Sequence, residues 1–118
     1  MPVQVFGTKK SADTRKALRF FAERRIQVHF VDLAERPPAK GELHRFVQKF
    51  GVTALVDRTS RRFLELGLGP SRYSDAKWFD LLLDEPFLLV QPLVRNAHKL
   101  TVGSAESEWG AWAKEGIA

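Results

Sequence analysis

The opening of the chain alternates between two kinds of apolar pattern, and this alternation restricts the possible folds more than any other feature. Residues 3–6 and 27–33 are β-branched or aromatic runs of the kind found in buried strands. Residues 14–25 instead carry apolar side chains at helical spacing, with arginine and lysine between them. A strand–helix–strand crossover places its two strands as parallel neighbours in one sheet. We therefore expect the chain to begin as a β–α–β unit.

The middle of the chain reads as helical throughout. Residues 40–50 place apolar side chains three and four apart, and residues 53–66 predict two short helices joined by a turn. Ser74 and Asp75 are the candidate cap of a further helix, which ends before Glu85 and Pro86 because the residue preceding a proline avoids helical backbone. We expect an all-helical insert at about residues 34–85.

The last part of the chain returns to strand patterns and ends in a helix. Residues 93–95 and 99–102 flank residues 96–98, which predict a hairpin turn. A final amphipathic helix follows, with Ser104 and Ser107 as candidate caps. The order β–α–β, helical insert, β–β–α predicts a single α/β domain over residues 1–118 that contains a mixed sheet.

The composition restricts the chemistry that is possible. The 118 residues include no cysteine, so the chain has no disulfide, no thiolate nucleophile and no thiolate metal ligand. His29, His44 and His98 lack the spacing of a metal site, and we predict no bound metal. The net charge of +5 is a mild excess, and no groove-reading motif accompanies it. We therefore expect no nucleic-acid partner.

Two further observations bear on the location of the protein. The longest uncharged apolar stretch, residues 86–94, is too short to cross a bilayer. Residues 3–6 indicate a strand, and no signal peptide is recognisable before them. With no cysteine to indicate an oxidising compartment, we expect a cytoplasmic protein without a membrane partner.

Five local motifs, in this order along the chain, resemble those of the arsenate reductase/Spx (ArsC-like) family. The motifs occupy residues 5–17, 42–56, 63–68, 85–94 and 102–109. The glutaredoxin-like small bacterial members look closer to this chain than the arsenical-resistance enzymes do. The resemblance implies a thioredoxin-like fold with the helical insert between the second and third strands.

The resemblance also assigns the position of the family's redox site. The nucleophilic cysteine of the family corresponds to Ser11, and the second cysteine of Spx-type redox switches corresponds to Thr14. A serine hydroxyl is not ionised near neutral pH and cannot form a disulfide. The resemblance therefore implies that this chain does not reduce arsenate, although it leaves open whether any other catalysis remains.

The oxyanion-holding arginines of the family are only partly matched. The arginine that precedes the family's cis-proline corresponds to Gln91, and the proline itself corresponds to Pro92. The arginines of the middle segment correspond to Thr53 or Asp57, or to Arg58 if the alignment shifts by one residue.

The remaining features indicate a ligand site around the start of the first helix. Free N–H groups at a helix N-terminus favour an anion, and the backbone beside the family proline can pair with an extended peptide such as glutathione. Two roles stay open for Ser11, a helix cap (for which Asp13 is the other candidate) or a hydroxyl that donates to a bound thiolate. The candidate ligand-binding residues are Lys9, Lys10, Ser11, Thr14, Arg15, Gln91 and Pro92.

Three functions are compatible with these residues. The first is a protein without redox activity that binds a protein partner, a small anion or a thiol ligand at the former active-site cleft. The second is a glutathione-dependent enzyme that uses Ser11. The third is an Spx-type transcription-associated adaptor, in which Arg58, Arg61 and Arg62 dock onto an acidic partner. Apart from possible glutathione, we expect no cofactor.

Overall fold

A computed structural model describes residues 2–116 and contains a four-stranded mixed sheet. Strand β1 runs from Val3–Gly7, β2 from Val28–Asp32, β3 from Leu93–Asn96 and β4 from Lys99–Val102. The order across the sheet is β2-β1-β3-β4, with β1 parallel to β2 and antiparallel to β3. β3 and β4 form an antiparallel hairpin. This topology confirms the predicted mixed sheet.

The chain divides into two compact units, and the first contains the sheet with two helices. Helix α1 spans Ala12–Glu23 and helix α5 spans Glu106–Lys114. Both helices pack on one face of the sheet, because their buried side chains share a core with alternate residues of β1 and with Val94 of β3. The indole of Trp109 lies in this core and donates to Thr101 Oγ1 at 2.9 Å, so its buried N–H is satisfied.

The second unit, Leu33–Val90, contains the three remaining helices. Helix α2 spans Lys40–Phe50, α3 spans Arg61–Glu65 and α4 spans Asp75–Asp84, with 3₁₀ turns at Thr53–Leu55 and Pro86–Leu88. The only extended pairing among its described residues is an isolated bridge between Val56 and Leu89. These helices lie within the segment predicted as helical, whereas the assignment of both units to one domain stays a prediction.

The helix starts were predicted correctly at two positions and wrongly at one. Ser11 and Ser74 cap α1 and α4, each accepting the backbone N–H three residues further on. The prediction that Ser104 or Ser107 caps the last helix was wrong. The residue before α5 is Ala105, which makes no side-chain cap, and Ser107 lies inside the first helical turn. Within the described residues, no helix has the length and apolar character needed to cross a membrane.

Candidate functional site

Ser11 lies between the loop that follows β1 and the first turn of α1. Its backbone N–H donates to the Thr8 carbonyl at 3.1 Å, and its Oγ accepts the Thr14 N–H at 3.2 Å. Ser11 is half-buried. Within the described residues, no acceptor is found for the hydroxyl hydrogen. Ser11 is therefore a helix cap, as one of its two predicted roles required, and it still has one hydrogen to donate to a ligand.

The side chain of Gln91, which is 83 residues from Thr8 in sequence, forms hydrogen bonds with this loop. Gln91 Oε1 accepts the Thr8 N–H at 2.7 Å, the Thr8 hydroxyl at 3.0 Å and the Thr14 hydroxyl at 3.3 Å. A backbone N–H can only donate, so the atom that faces Thr8 must be the amide oxygen. The Gln91–Pro92 bond is cis, as in the family pattern, and Pro92 is buried. Three donors beside Ser11 are thus already occupied by the protein itself.

Gly7, the last residue of β1, makes this arrangement possible. A Cβ added at Gly7 would overlap Thr14 Oγ1, which lies against the glycine backbone. Thr14 is fully buried and Thr8 nearly so. Gly7 and Thr8 were not among the candidate ligand-binding residues predicted from the sequence. The sequence does place both residues directly after the predicted strand at residues 3–6, where the chain enters the loop before the first helix.

The basic residues around the loop point to solvent. Lys9 and Lys10 are exposed, and Arg15 donates through one terminal nitrogen to the Lys9 carbonyl at 2.7 Å. This contact uses one of the five N–H donors of the Arg15 guanidinium. The N–H groups of Ala12 and Asp13, in the first turn of α1, have no protein acceptor within the described residues. Positive charge and free donors therefore gather at this end of the helix.

The structure brings some of the predicted ligand-binding residues together and leaves others apart. Thr14 contacts both Ser11 and Gln91. The side chains of Lys9 and Lys10 contribute only charge at the rim, because neither side chain makes a hydrogen bond within the described residues.

The basic group of the second unit is less available than its sequence suggested. Arg62 makes a two-point contact with Glu85, with both N–O distances 2.8 Å. The hydrogen bond from Arg62 holds the pKa of the Glu85 carboxyl below its usual value, against an opposing effect of burial. Arg58 lies 5.5 Å from the centre of the Phe63 ring, and Arg61 is almost fully exposed. Arg61 also lies 3.9 Å from Glu65, so among the described residues Arg58 is the one member of this group without a carboxylate partner.

Asp57, one of the middle-segment positions that correspond to family arginines, has a structural role. Asp57 accepts the backbone N–H and the hydroxyl of Thr59 at 2.9 and 2.7 Å, which makes it a turn-forming residue. Its carboxylate would repel an oxyanion.

His29, His44 and His98 are exposed, and the described residues contain no group of three or more His, Cys, Asp or Glu side chains placed to hold a metal.

The ArsC family matches residues 6–112, a range that holds the Ser11 loop, the Gln91–Pro92 bond and most of α5. The chain belongs to the ArsC family. This result confirms the resemblance deduced from the sequence. In this ArsC-family chain, the start of α1 carries a serine, and no cysteine occurs anywhere in the sequence.

Three relatives illustrate the extent of the similarity. The uncharacterised Bacillus subtilis protein YusI is 26% identical over 113 residues, which cover 92% of this chain and 96% of YusI. An Escherichia coli arsenate reductase is 23% identical over 94 residues, 78% of this chain and 67% of that enzyme. The solved arsenate reductase of Vibrio cholerae superposes with a TM-score of 0.78 at 25% identity, over 92% of this chain and 94% of that one. The fold is therefore the thioredoxin-like fold of ArsC proteins.

Proposed function

We propose that this ArsC-family chain has no redox activity and binds a small anionic or thiol ligand, such as glutathione, at the start of α1. The observation that carries the proposal is Ser11, whose Oγ accepts the Thr14 N–H at 3.2 Å. Its hydroxyl hydrogen has no acceptor among the described residues. A hydroxyl so placed can donate to a thiolate or an oxyanion, but it cannot exchange a disulfide.

Electrostatics around the loop support binding of a negative group. The free N–H groups of Ala12 and Asp13 lie at the positive end of the α1 dipole, and three cations border the loop, namely Lys9, Lys10 and Arg15. The Asp13 carboxylate, exposed in the first turn, partly offsets this field. The donors of Thr8 are already taken by Gln91. We therefore expect weak binding that decreases as salt is raised.

Calorimetry at low salt, with phosphate, sulfate and glutathione as separate ligands, tests the proposal. Arg15→Ala should weaken binding, because Arg15 lies against the Lys9 carbonyl at the loop. Lys16→Ala is the matched control, because Lys16 pairs with Glu106 at 3.5 Å and should contribute little. Asp13→Asn should strengthen binding by removing the opposing charge. Absence of heat with all three ligands would refute the small-ligand proposal.

A glutathione-dependent enzyme is the second candidate, because the same Ser11 hydrogen could stabilise the glutathione thiolate. Ser11→Ala separates this role from simple anion binding. If the hydroxyl donates to the thiolate, the variant should lose more affinity for glutathione than for phosphate, and it should raise the thiol pKa of bound glutathione. Equal losses for both ligands would indicate that Ser11 acts only as a cap.

The adaptor function has weaker support from the second unit. Arg62 is paired with Glu85, so an acidic partner would meet mainly Arg58 and Arg61. We would prefer this function if calorimetry gave no heat with small ligands. An Arg58→Ala and Arg61→Ala double variant that loses an acidic protein partner, while binding glutathione unchanged, would support it.

A further inference from the structure

Three polar side chains form a row across the sheet near the beginning of β1. Gln4 is paired in register with His29 of β2 on one side and with Arg95 of β3 on the other. Residues directly opposite one another in a sheet share a face. The row therefore lies on the face opposite to Val3 and Val5, which belong to the core beneath α1 and α5.

The hydrogen bonds of Arg95 fix the orientation of this row. Arg95 Nε donates to the Ala97 carbonyl at 2.7 Å, and one terminal nitrogen donates to Gln4 Oε1 at 3.3 Å. An arginine carries five N–H donors, so three remain after these contacts. Because the amide oxygen of Gln4 faces Arg95, its NH₂ group is directed elsewhere. The row presents hydrogen-bond donors and a permanent positive charge.

A cavity of about 230 Å³ opens at the row, and its lining is suited to an anion. The lining residues are Pro2, Gln4, His29, Arg95 and Ala97. None of these described residues carries a negative charge, and Pro2 and Ala97 supply an apolar edge. His29 is exposed and adds an imidazole to the donors. The combination of a guanidinium, an amide and an imidazole matches the oxygens of a carboxylate or phosphate group.

We propose that this cavity is a second ligand site, which binds a small molecule through a carboxylate or phosphate group and places an adjoining apolar part against Pro2 and Ala97. Gln4 lies three residues before the end of β1, a distance of about 10 Å along the strand from Gly7. The Ser11 loop begins beyond that opposite end. The second site is therefore separate from the ligand site proposed at α1.

Nuclear magnetic resonance titration of this 118-residue chain with inorganic phosphate and, separately, with propionate tests this proposal. We expect the His29 ring signals, the Gln4 side-chain amide signals and the Arg95 Nε–H signal to shift together and to saturate. A stronger response to propionate would identify a carboxylate ligand, and a stronger response to phosphate would identify a phosphate ligand. Arg95→Gln should weaken the interaction by about tenfold or more, because a charge-assisted contact is lost.

Two further variants keep the test decisive. Arg24→Gln removes the same charge and a comparable contact with a backbone carbonyl, that of Phe20, so it should leave the affinity at the cavity unchanged. His29→Gln alters an exposed side chain and should weaken binding without affecting folding. Equal weakening by Arg95→Gln and Arg24→Gln, or no joint shift of the row, would overturn the proposal. Shifts confined to residues 9–13 would overturn the second site and support the site at α1. Shifts confined to Gln4, His29 and Arg95 would support the second site and count against the site at α1.

Discussion

At the scale of single residues, the amide oxygen of Gln91 determines how the loop before α1 is held. It accepts three hydrogen bonds, from the backbone of Thr8 and from the hydroxyls of Thr8 and Thr14. The family pattern has an arginine at this position. An arginine side chain has no acceptor, so it could not form these three hydrogen bonds. The neutral acceptor therefore ties the loop to the protein itself, and it leaves the free N–H groups at the start of α1 for the ligand that we propose.

Replacing Gln91 tests this contact directly. Gln91→Met keeps a similar shape without an acceptor, and we expect it to lower the free energy of unfolding by about 1–3 kcal/mol because buried donors lose their partner. Gln91→Glu is the control, since a carboxylate can accept the same three hydrogen bonds and should retain most of the stability at neutral pH. Urea unfolding measures both variants. Equal stability of Gln91→Met and the wild type would show that the contact contributes nothing.

The position of Ser11 can be tested with a thiol. The thiol introduced by Ser11→Cys should have a pKa below the ordinary cysteine value of about 8.5, because the helix N-terminus and the Thr14 N–H favour the thiolate. The wild type has no cysteine, so thiolate absorbance would report this group alone. Ala22→Cys, exposed near the other end of the same helix, should show no such lowering. Similar pKa values for the two thiols would contradict the proposed electrostatics of the site.

At the scale of secondary-structure elements, a two-point contact joins α3 to the end of α4. Arg62 and Glu85 form it, and it lowers the pKa of Glu85. A carboxyl with a lowered folded-state pKa stabilises the fold above its unfolded-state pKa, and this stabilisation is lost as the pH falls through the folded-state value. Both side chains are partly exposed, so solvent screening keeps the effect small.

The pH dependence of the melting temperature checks this contact. As the pH falls below about 4.5, the ordinary value for the Glu85 carboxyl, the wild type should lose more stability than Arg62→Gln, which has already lost the contact. Arg61→Ala is the control, because Arg61 is highly exposed and its nitrogen lies 3.9 Å from Glu65. Parallel curves for the wild type and Arg62→Gln would show that the contact does not contribute to folding.

The elements were easier to predict than the contacts between them. The amphipathic spacing of residues 40–50 is local, and α2 occupies the predicted residues. The start of α5 was predicted wrongly because Ser104 and Ser107 are of a residue type that caps helices, whereas the residue before α5 is Ala105. In the site, the family pattern located Ser11, but the role of Thr8 depends on a partner 83 residues away in sequence. Local patterns carry no information about such a pair.

At the scale of the whole molecule, the chain has the ArsC fold but lacks the cysteine sulfur on which the chemistry of a thiol reductase depends. The sheet and the core beneath α1 and α5 are intact, with Val3, Val5, Phe21 and Trp109 fully buried. The sequence contains no cysteine. The fold thus positions a helix N-terminus without supplying a redox nucleophile.

These 118 residues, which contain no cysteine, are therefore expected to be redox-inert. Arsenate reductase and disulfide reductase assays should give background rates, whether glutathione, glutaredoxin or thioredoxin is supplied, because no residue can form the mixed disulfide. A blank without protein and a family member that retains its cysteine are the controls. Turnover that survives repeated purification would contradict this expectation.

The proposed binding of glutathione without turnover can be tested by titrating isotopically labelled protein with glutathione and following the nuclear magnetic resonance signals. The backbone amide signals of Lys9, Lys10, Ala12 and Asp13 should shift in a saturable manner, and the shifts should decrease when salt is added. Glutathione disulfide, measured in the same sample, should not exceed the amount formed without protein. Unchanged amide signals at these four residues, or disulfide formation in proportion to the protein concentration, would contradict the claim.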